Sequence, residues 1–174
     1  MAVKELQLVP IGPVTAGFLK ELEAPLVQVL GVQAYVGKAV LAEPAFAFNK
    51  DRNQYHTTAI MRRILTLKEN GTPLIIGVAD VDLFVPDSPF VYGEADRESH
   101  AAVMSLHRLK GEGEAWKRRT FVEAVHQAGH LIGLSFCEDA RCAMYLATTI
   151  TDAERRQLHL CNNCRNELAK IRRV

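Results

Sequence analysis

Apolar and polar positions along the first 134 residues fall into blocks that fit strands and helices in turn. VKELQLVPIG (3–12) reads as a strand ended by Pro10, Gly12 and Pro13. From Thr15, apolar residues at Phe18, Leu19, Leu22, Leu26, Val27 and Leu30 recur at helical spacing and predict a helix over 15–30. Pro25 should kink or split that helix, and Gly31 should stop it. VQAYVGKAV (32–40) is a second strand, 43–54 a loop punctuated by Pro44, Asn49, Asp51 and Asn53, and 55–69 a helix closed by Asn70 and Gly71. PLIIGVAD (73–80) is nearly all apolar, as a strand buried on both faces must be. A loop with Pro86 and Pro89 leads to FVYGEA (90–95) and to a further strand, HAAVMSLHRL (100–109). A Gly/Glu turn at 111–114 precedes a long helix from Ala115 to about Leu134, with Phe121, Val125, Ala128 and Ile132 as its apolar stripe. The predicted fold class is α/β (α+β): a twisted mixed sheet packed on two helices, followed by a small irregular C-terminal part.

Composition narrows the class. The 174 residues are 48% hydrophobic and 24% charged, values of a soluble globular chain long enough for one domain with a real core. No run approaches the ~18–20 apolar residues of a spanning helix, and the first residues lack the basic-then-apolar order of a secretion signal. A net charge of +1 offers no field for a polyanion, and the basic end KIRRV reads as a solvated terminus. The expectation is therefore a cytoplasmic monomer with no membrane and no nucleic-acid partner. It is one domain over 1–174, with an N-terminal subdomain to 133 and a C-terminal one over 134–174.

All four cysteines lie in that last part: Cys137, Cys142, Cys161 and Cys164, spaced C-x4-C-x18-C-x2-C. Two short chelate loops on a connector long enough to fold back can bring four thiolates to tetrahedral corners around Zn²⁺, with Zn–S near ~2.3 Å. Two disulfides would suit a secreted chain, and a redox role for Cys161 and Cys164 would want a thioredoxin-type βαβ context. Four buried thiols or an iron–sulfur cluster are the remaining alternatives to a structural zinc. On the long helix, His126 and His130 stand at i and i+4, about 40° apart around the axis, and project together off the apolar stripe. Such a pair is the geometry of a helical metal motif, although most such pairs are surface histidines.

These residues carry a resemblance. His126-Gln127-Ala128-Gly129-His130-Leu131-Ile132-Gly133-Leu134-Ser135-Phe136-Cys137 resembles the archaemetzincin motif H-E-x-x-H-x-x-G-x-x-H-C. Cys142, Met144, Cys161 and Cys164 follow in the family's order, and DVDLFVP (80–86), FVYGEA (90–95) and AVMSLHRL (102–109) are similar to family phrases. The resemblance implies a metzincin-like zinc peptidase fold, a catalytic-type zinc on His126 and His130, and a structural zinc on the four cysteines. It further implies that Met144 is the methionine of the turn beneath the histidines, and that FVYGEA is the edge strand on which an extended peptide lies.

Two departures bear on activity. Gln127 stands where the family has its general-base glutamate, and Phe136 where it has the third histidine. An amide has no basic lone pair, and losing a general base costs typically ~10²–10⁴-fold. Phenylalanine is no ligand, which leaves two of the three protein ligands a catalytic zinc usually has. The reading is thus a zinc metalloprotease homologue with an inactive or strongly impaired site, a pseudoenzyme. Glu138 or Asp139 as a substitute ligand, or Glu123 as a substitute base, would instead give an active peptidase with a nonstandard site. A zinc-stabilised peptide- or protein-binding module is the third reading. Glu123 itself reads as a solvated or salt-bridged carboxylate near Arg118 or Arg119. His56, His100 and His107 have no partners at ligand spacing, His159 is surplus to a four-thiolate set, and Tyr145 reads as packing.

Overall fold

A computed structural model describes residues 4–111 and 114–173. Val3 of the first predicted strand, Glu112 and Gly113 of the predicted turn, and Val174 lie outside the described residues.

The first apolar run forms β1 (Glu5–Pro10), buried from Leu6 onward. Thr15 caps α1 (Ala16–Lys20) by accepting a hydrogen bond from the Phe18 N–H at 3.1 Å. The helix predicted over 15–30 is split: α1 ends at Lys20 and α2 runs Glu23–Leu30. The break falls one turn before Pro25, where a helix would need the proline's missing N–H to bond the Glu21 carbonyl. Within α2, Pro25 sits in the first turn, where no intrahelical N–H bond is required. Gly31, at φ 68°, ends α2 in the left-handed region.

β2 (Gln33–Val36) is shorter than the predicted 32–40. The segment read as a loop holds two small strands, β3 (Phe48–Asn49) and β4 (Gln54–His56), so α3 begins later than predicted, at Thr57–Leu65. Then follow β5 (Leu74–Ala79), β6 (Leu83–Phe84), β7 (Gly93–Asp96), β8 (Ala101–Ser105) and α4 (Ala115–Ile132). The C-terminal part predicted to be irregular contains two helices, α5 (Ile150–Arg155) and α6 (Asn162–Arg172). Thr149 caps α5 through the Asp152 N–H at 3.1 Å. α6 hides from pattern reading because its buried face is only Cys164 and Leu168, with Ile171 packed beside them. Its last turn is not merely solvated: the Arg172 guanidinium donates to the Leu30 carbonyl at the end of α2.

The main sheet has the order β2-β1-β5-β8-β7, with β2, β1, β5 and β8 parallel and β7 antiparallel to β8. Leu6, Leu8, Ile76, Ala102 and Met104 face one layer with α1, α2 and α4, whereas Val9, Ile75, Ala101 and Val103 face α3. The sheet is thus covered on both sides, which accounts for the near-continuous apolar runs of β5 and β8. β3, β4 and β6 form a second, three-stranded sheet. α4 is buried around most of its circumference, so its histidine face is not a solvent face. No described helix is long and apolar enough to cross a membrane.

Candidate active site and metal centre

α4 ends at Gly133, whose φ of 117° turns the chain back, and the Leu134 N–H closes the turn on the Gly129 carbonyl at 2.9 Å. The returning segment folds under α4 through hydrogen bonds from Cys137 N to Met144 O (3.0 Å) and from Cys142 N to Asp139 O (2.9 Å). The start of α6 supplies Cys161 and Cys164 from the other side. The four sulfur atoms all lie within 4.8 Å of one another, and Cys137 Sγ and Cys161 Sγ are 3.6 Å apart. That spacing fits a tetrahedral zinc, whose thiolates at ~2.3 Å from the ion sit about 3.7 Å apart. Backbone N–H groups of Asp139, Met144 and Cys161 point at sulfur, at 3.4 Å, 3.5 Å and 3.4 Å. They support negative charge on sulfur, as outer-shell donors of thiolate sites do. Burial, reinforced by the charge of neighbouring sulfur, pushes the Cys142 and Cys164 thiols up. Held together as thiolates, four sulfur atoms this close would need a cation among them.

His126 and His130 project from α4 with their Nε2 atoms 3.1 Å apart. His126 Nδ1 donates to the Ala143 carbonyl at 2.9 Å, and His130 Nδ1 donates to that of Leu134 at 3.0 Å. With Nδ1 as the donor in each ring, the two Nε2 lone pairs face one another, an arrangement that a shared cation relieves. Two imidazole nitrogens bound to one zinc at ~2.0–2.1 Å lie about 3.1–3.4 Å apart, so the pair fits two ligand positions. Burial pushes His126 down to about 4, with Arg156 and His130 adding to it and Glu123 opposing, so its lone pair is free at neutral pH. The third position is different. The Phe136 ring stands 4.4 Å from that of His130 and 5.9 Å from that of His126, with the residue 61% exposed.

Gln127 is 3% exposed, and its Nε2 donates to Glu123 Oε2 at 2.5 Å. Glu123 is neither solvated nor paired with Arg118 or Arg119: it is 2% exposed and accepts from Arg156 Nη2 at 2.9 Å. Arg156 is fully buried and also donates to the Tyr145 carbonyl at 3.1 Å. Burial raises the Glu123 carboxyl, but Arg156, His126 and Gln127 together hold it below its ordinary range. Gln127 Oε1 has no hydrogen-bond partner among the described residues. The Glu123–Arg156 pair spans 33 positions of sequence, so no local spacing announces it.

These groups open on a cleft of about 390 Å³ bordered by Tyr92, Gly93, Arg97, Phe136 and Leu146. A Cβ on Gly93 would meet Gln127 Nε2 at 2.6 Å and the Val103 carbonyl at 2.7 Å, so only glycine lets β7 approach α4 this closely. Arg97 was not singled out by spacing. Its Nε donates to the His130 carbonyl and its Nη2 to the Leu134 carbonyl, both at 2.9 Å. The second of these is the carbonyl that also orients the His130 ring. Met144 is fully buried beneath α4, where a Cβ on Gly129 would stand 2.5 Å from its sulfur.

Glu138 and Asp139 are exposed and border a different depression beside the cysteines, away from the histidine cleft. His100, His107 and His159 are exposed, and His56 packs on Phe84 with ring centroids 5.1 Å apart.

A family model described as Peptidase family M54 matches residues 16–170. The archaemetzincin of Methanocaldococcus jannaschii is 31% identical over 166 residues, spanning 91% of this chain and 89% of its own. That of Thermococcus kodakarensis is 29% identical over 182 residues, spanning 97% of each. The crystal structure of archaemetzincin from Methanopyrus kandleri matches with a TM-score of 0.87 and 26% identity, covering 99% of this chain and 97% of that one. The similarity takes in the sheet, the histidine helix and the cysteine loops alike. On that breadth the chain belongs to Peptidase family M54, the archaemetzincins, a family of zinc metallopeptidases.

Proposed function

We propose that this protein is a zinc-stabilised archaemetzincin homologue whose cleft binds extended peptides and whose peptide-bond hydrolysis is lost or strongly impaired. The observation that carries this reading is Phe136, a ring with no ligating atom set against both imidazoles. Gln127 supports it: its amide is bonded to Glu123 and has no basic lone pair with which to accept a proton from water. Cys137, Cys142, Cys161 and Cys164 would hold a structural zinc, which contributes folding free energy directly. His126 and His130 would hold a second ion only weakly, because two protein ligands fall short of the usual three. Met144 serves as packing under the histidines and has no ligand role. In the same proposal the chain is one domain, works as a cytoplasmic monomer, and takes peptide or protein as its partner, with no nucleic acid and no membrane.

The test is zinc per chain, by elemental analysis of protein purified without chelators, run beside cleavage of unfolded casein. The expected result is one zinc, lost in Cys142→Ser and kept in His126→Ala, with no cleavage. Two zincs, one of them lost in His126→Ala, together with chelator-sensitive cleavage would overturn the proposal. They would establish an active peptidase with a nonstandard ligand. The double variant Gln127→Glu/Phe136→His is the comparison in which cleavage is expected to appear.

A further inference from the structure

β7 is the end strand of the main sheet, and its ladder to β8 fixes which way each side chain points. Glu94 pairs with Val103 and Asp96 with Ala101, both on the α3 face. Gly93 and Ala95 pair with Met104 and Ala102, on the α4 face. Directly opposed residues of an antiparallel pair share a face, so the two side chains project on the α3 side of the sheet, although Glu94 also borders the histidine cleft. A groove of about 440 Å³ runs there between α3 and β7, and Thr57, Met61, Arg62 and Ser99 border it with Glu94 and Asp96.

The carboxylates of this groove lack a counter-charge, although Asp96 Oδ1 accepts from the Glu98 N–H at 3.2 Å. Glu94 is half-buried, and among the described residues neither it nor Asp96 is in an ion pair. Thr57 is fully buried at the first position of α3, and its Oγ1 has no hydrogen-bond partner among the described residues. Arg62, the one cation among the described residues at the rim, is exposed and lies beyond ion-pair distance of both carboxylates. Burial raises the Glu94 carboxyl, and the charge of Asp96 adds to it, the signature of an acid short of a counter-charge.

We infer that this groove receives a basic side chain, lysine or arginine, of an extended peptide laid along the free edge of β7. The inference rests on the proposal that the protein binds extended peptides. A strand added at that edge sends alternate side chains to opposite faces. Residues opposite Gly93 and Ala95 then meet the histidine cleft, while those opposite Glu94 and Asp96 enter the α3 groove. There an ammonium or guanidinium group finds two carboxylates, with the unpartnered Thr57 hydroxyl buried behind them, whereas a carboxylate meets like charge.

End-blocked heptapeptides of alternating alanine and valine, with lysine, norleucine or glutamate at the centre, test this on the full-length ¹⁵N-labelled protein. Titration should shift the amides of residues 93–96, with the lysine peptide binding about tenfold more tightly than norleucine and glutamate weakest. The lysine advantage should vanish in Glu94→Gln/Asp96→Asn and shrink in Thr57→Val, each keeping the wild-type spectrum elsewhere. Equal binding of the lysine and norleucine peptides at β7 would overturn the inference and leave peptide binding standing. A lysine preference that survives in the double variant would overturn it too, by placing the contact on another acidic surface. If no peptide moves the β7 amides, the peptide-binding proposal falls and this inference falls with it.

Discussion

Gln127 and Glu123 are a single unit, and this changes what reinstating a glutamate does. A carboxylate at 127 would replace the amide donor that now sits 2.5 Å from Glu123 Oε2, placing two acids in one buried pocket. One of the two must then keep its proton near neutrality, with a folded-state pKa above the unfolded value. Such a group stabilises the fold below its unfolded pKa, and the contribution is lost as pH rises through the folded value. Gln127→Glu is therefore expected to melt at a lower temperature at pH 8 than at pH 5, relative to the wild type at each pH, by calorimetry. Asp82 has the opposite sign. It accepts from Arg108 at 2.6 Å and 2.8 Å and from Gln54 at 3.1 Å. Burial opposes ionisation, but these donors hold its carboxyl below the ordinary value. Its contribution is present above the unfolded pKa and lost as pH falls through the folded one. Asp82→Asn should cost about 0.5–1 kcal/mol at pH 7, given the partly exposed Arg108 partner. By urea titration, the difference from wild type should narrow as pH falls through and below the ordinary carboxylate range.

α4 carries the candidate chemistry, and its C-terminal end depends on a residue from the loop after β7. Arg97 binds the carbonyls of His130 and Leu134, and the Leu134 oxygen in turn fixes the His130 ring. Arg97→Ala should weaken cobalt or zinc binding at the histidine pair by about tenfold, read by calorimetric titration, and leave the cysteine site unchanged. Much at this scale was legible beforehand. The apolar runs of β1, β5 and β8, the start of α4 and the C-x4-C-x18-C-x2-C spacing all declare themselves in sequence. The split at Glu21–Leu22 was foreshadowed by Pro25, but its place required the rule that proline removes the bond one turn upstream. α6 was missed because a cysteine read as a ligand is not also counted as an apolar helix position. The burial of Glu123 was missed because its partner, Arg156, arrives from a distant segment and carries no periodic signal.

For the whole molecule, the two candidate metal positions are unequal supports. The cysteine cluster joins the loop after α4 to the start of α6, and the packed side chains of α6 reach back toward α2. Cys142→Ser should lose the structural metal and, with it, several degrees of melting temperature, since structural zinc contributes folding free energy. His126→Ala should keep that metal, but it is not free of cost. His126 is 2% exposed and donates to the Ala143 carbonyl, so its removal leaves a buried acceptor unpaired and costs about 1–3 kcal/mol. Chemical denaturation of both variants beside the wild type separates a metal-borne loss from a packing loss. Should His126→Ala release the zinc and Cys142→Ser retain it, the roles given to the two sites are reversed.

The order of the chain gives the cysteine cluster a consequence in time. Synthesis runs from the N-terminus, and β1, β5, β7, β8 and α4 all precede Cys137. The sheet and the helix across it thus leave the ribosome before the first thiol, and Cys161 and Cys164 leave later still. If the cysteines hold zinc as proposed, its capture is in that sense the closing act of biogenesis. On that proposal, a cell short of zinc would accumulate a body already paired strand to strand, trailing an unfastened segment after Gly133 where a protease could begin.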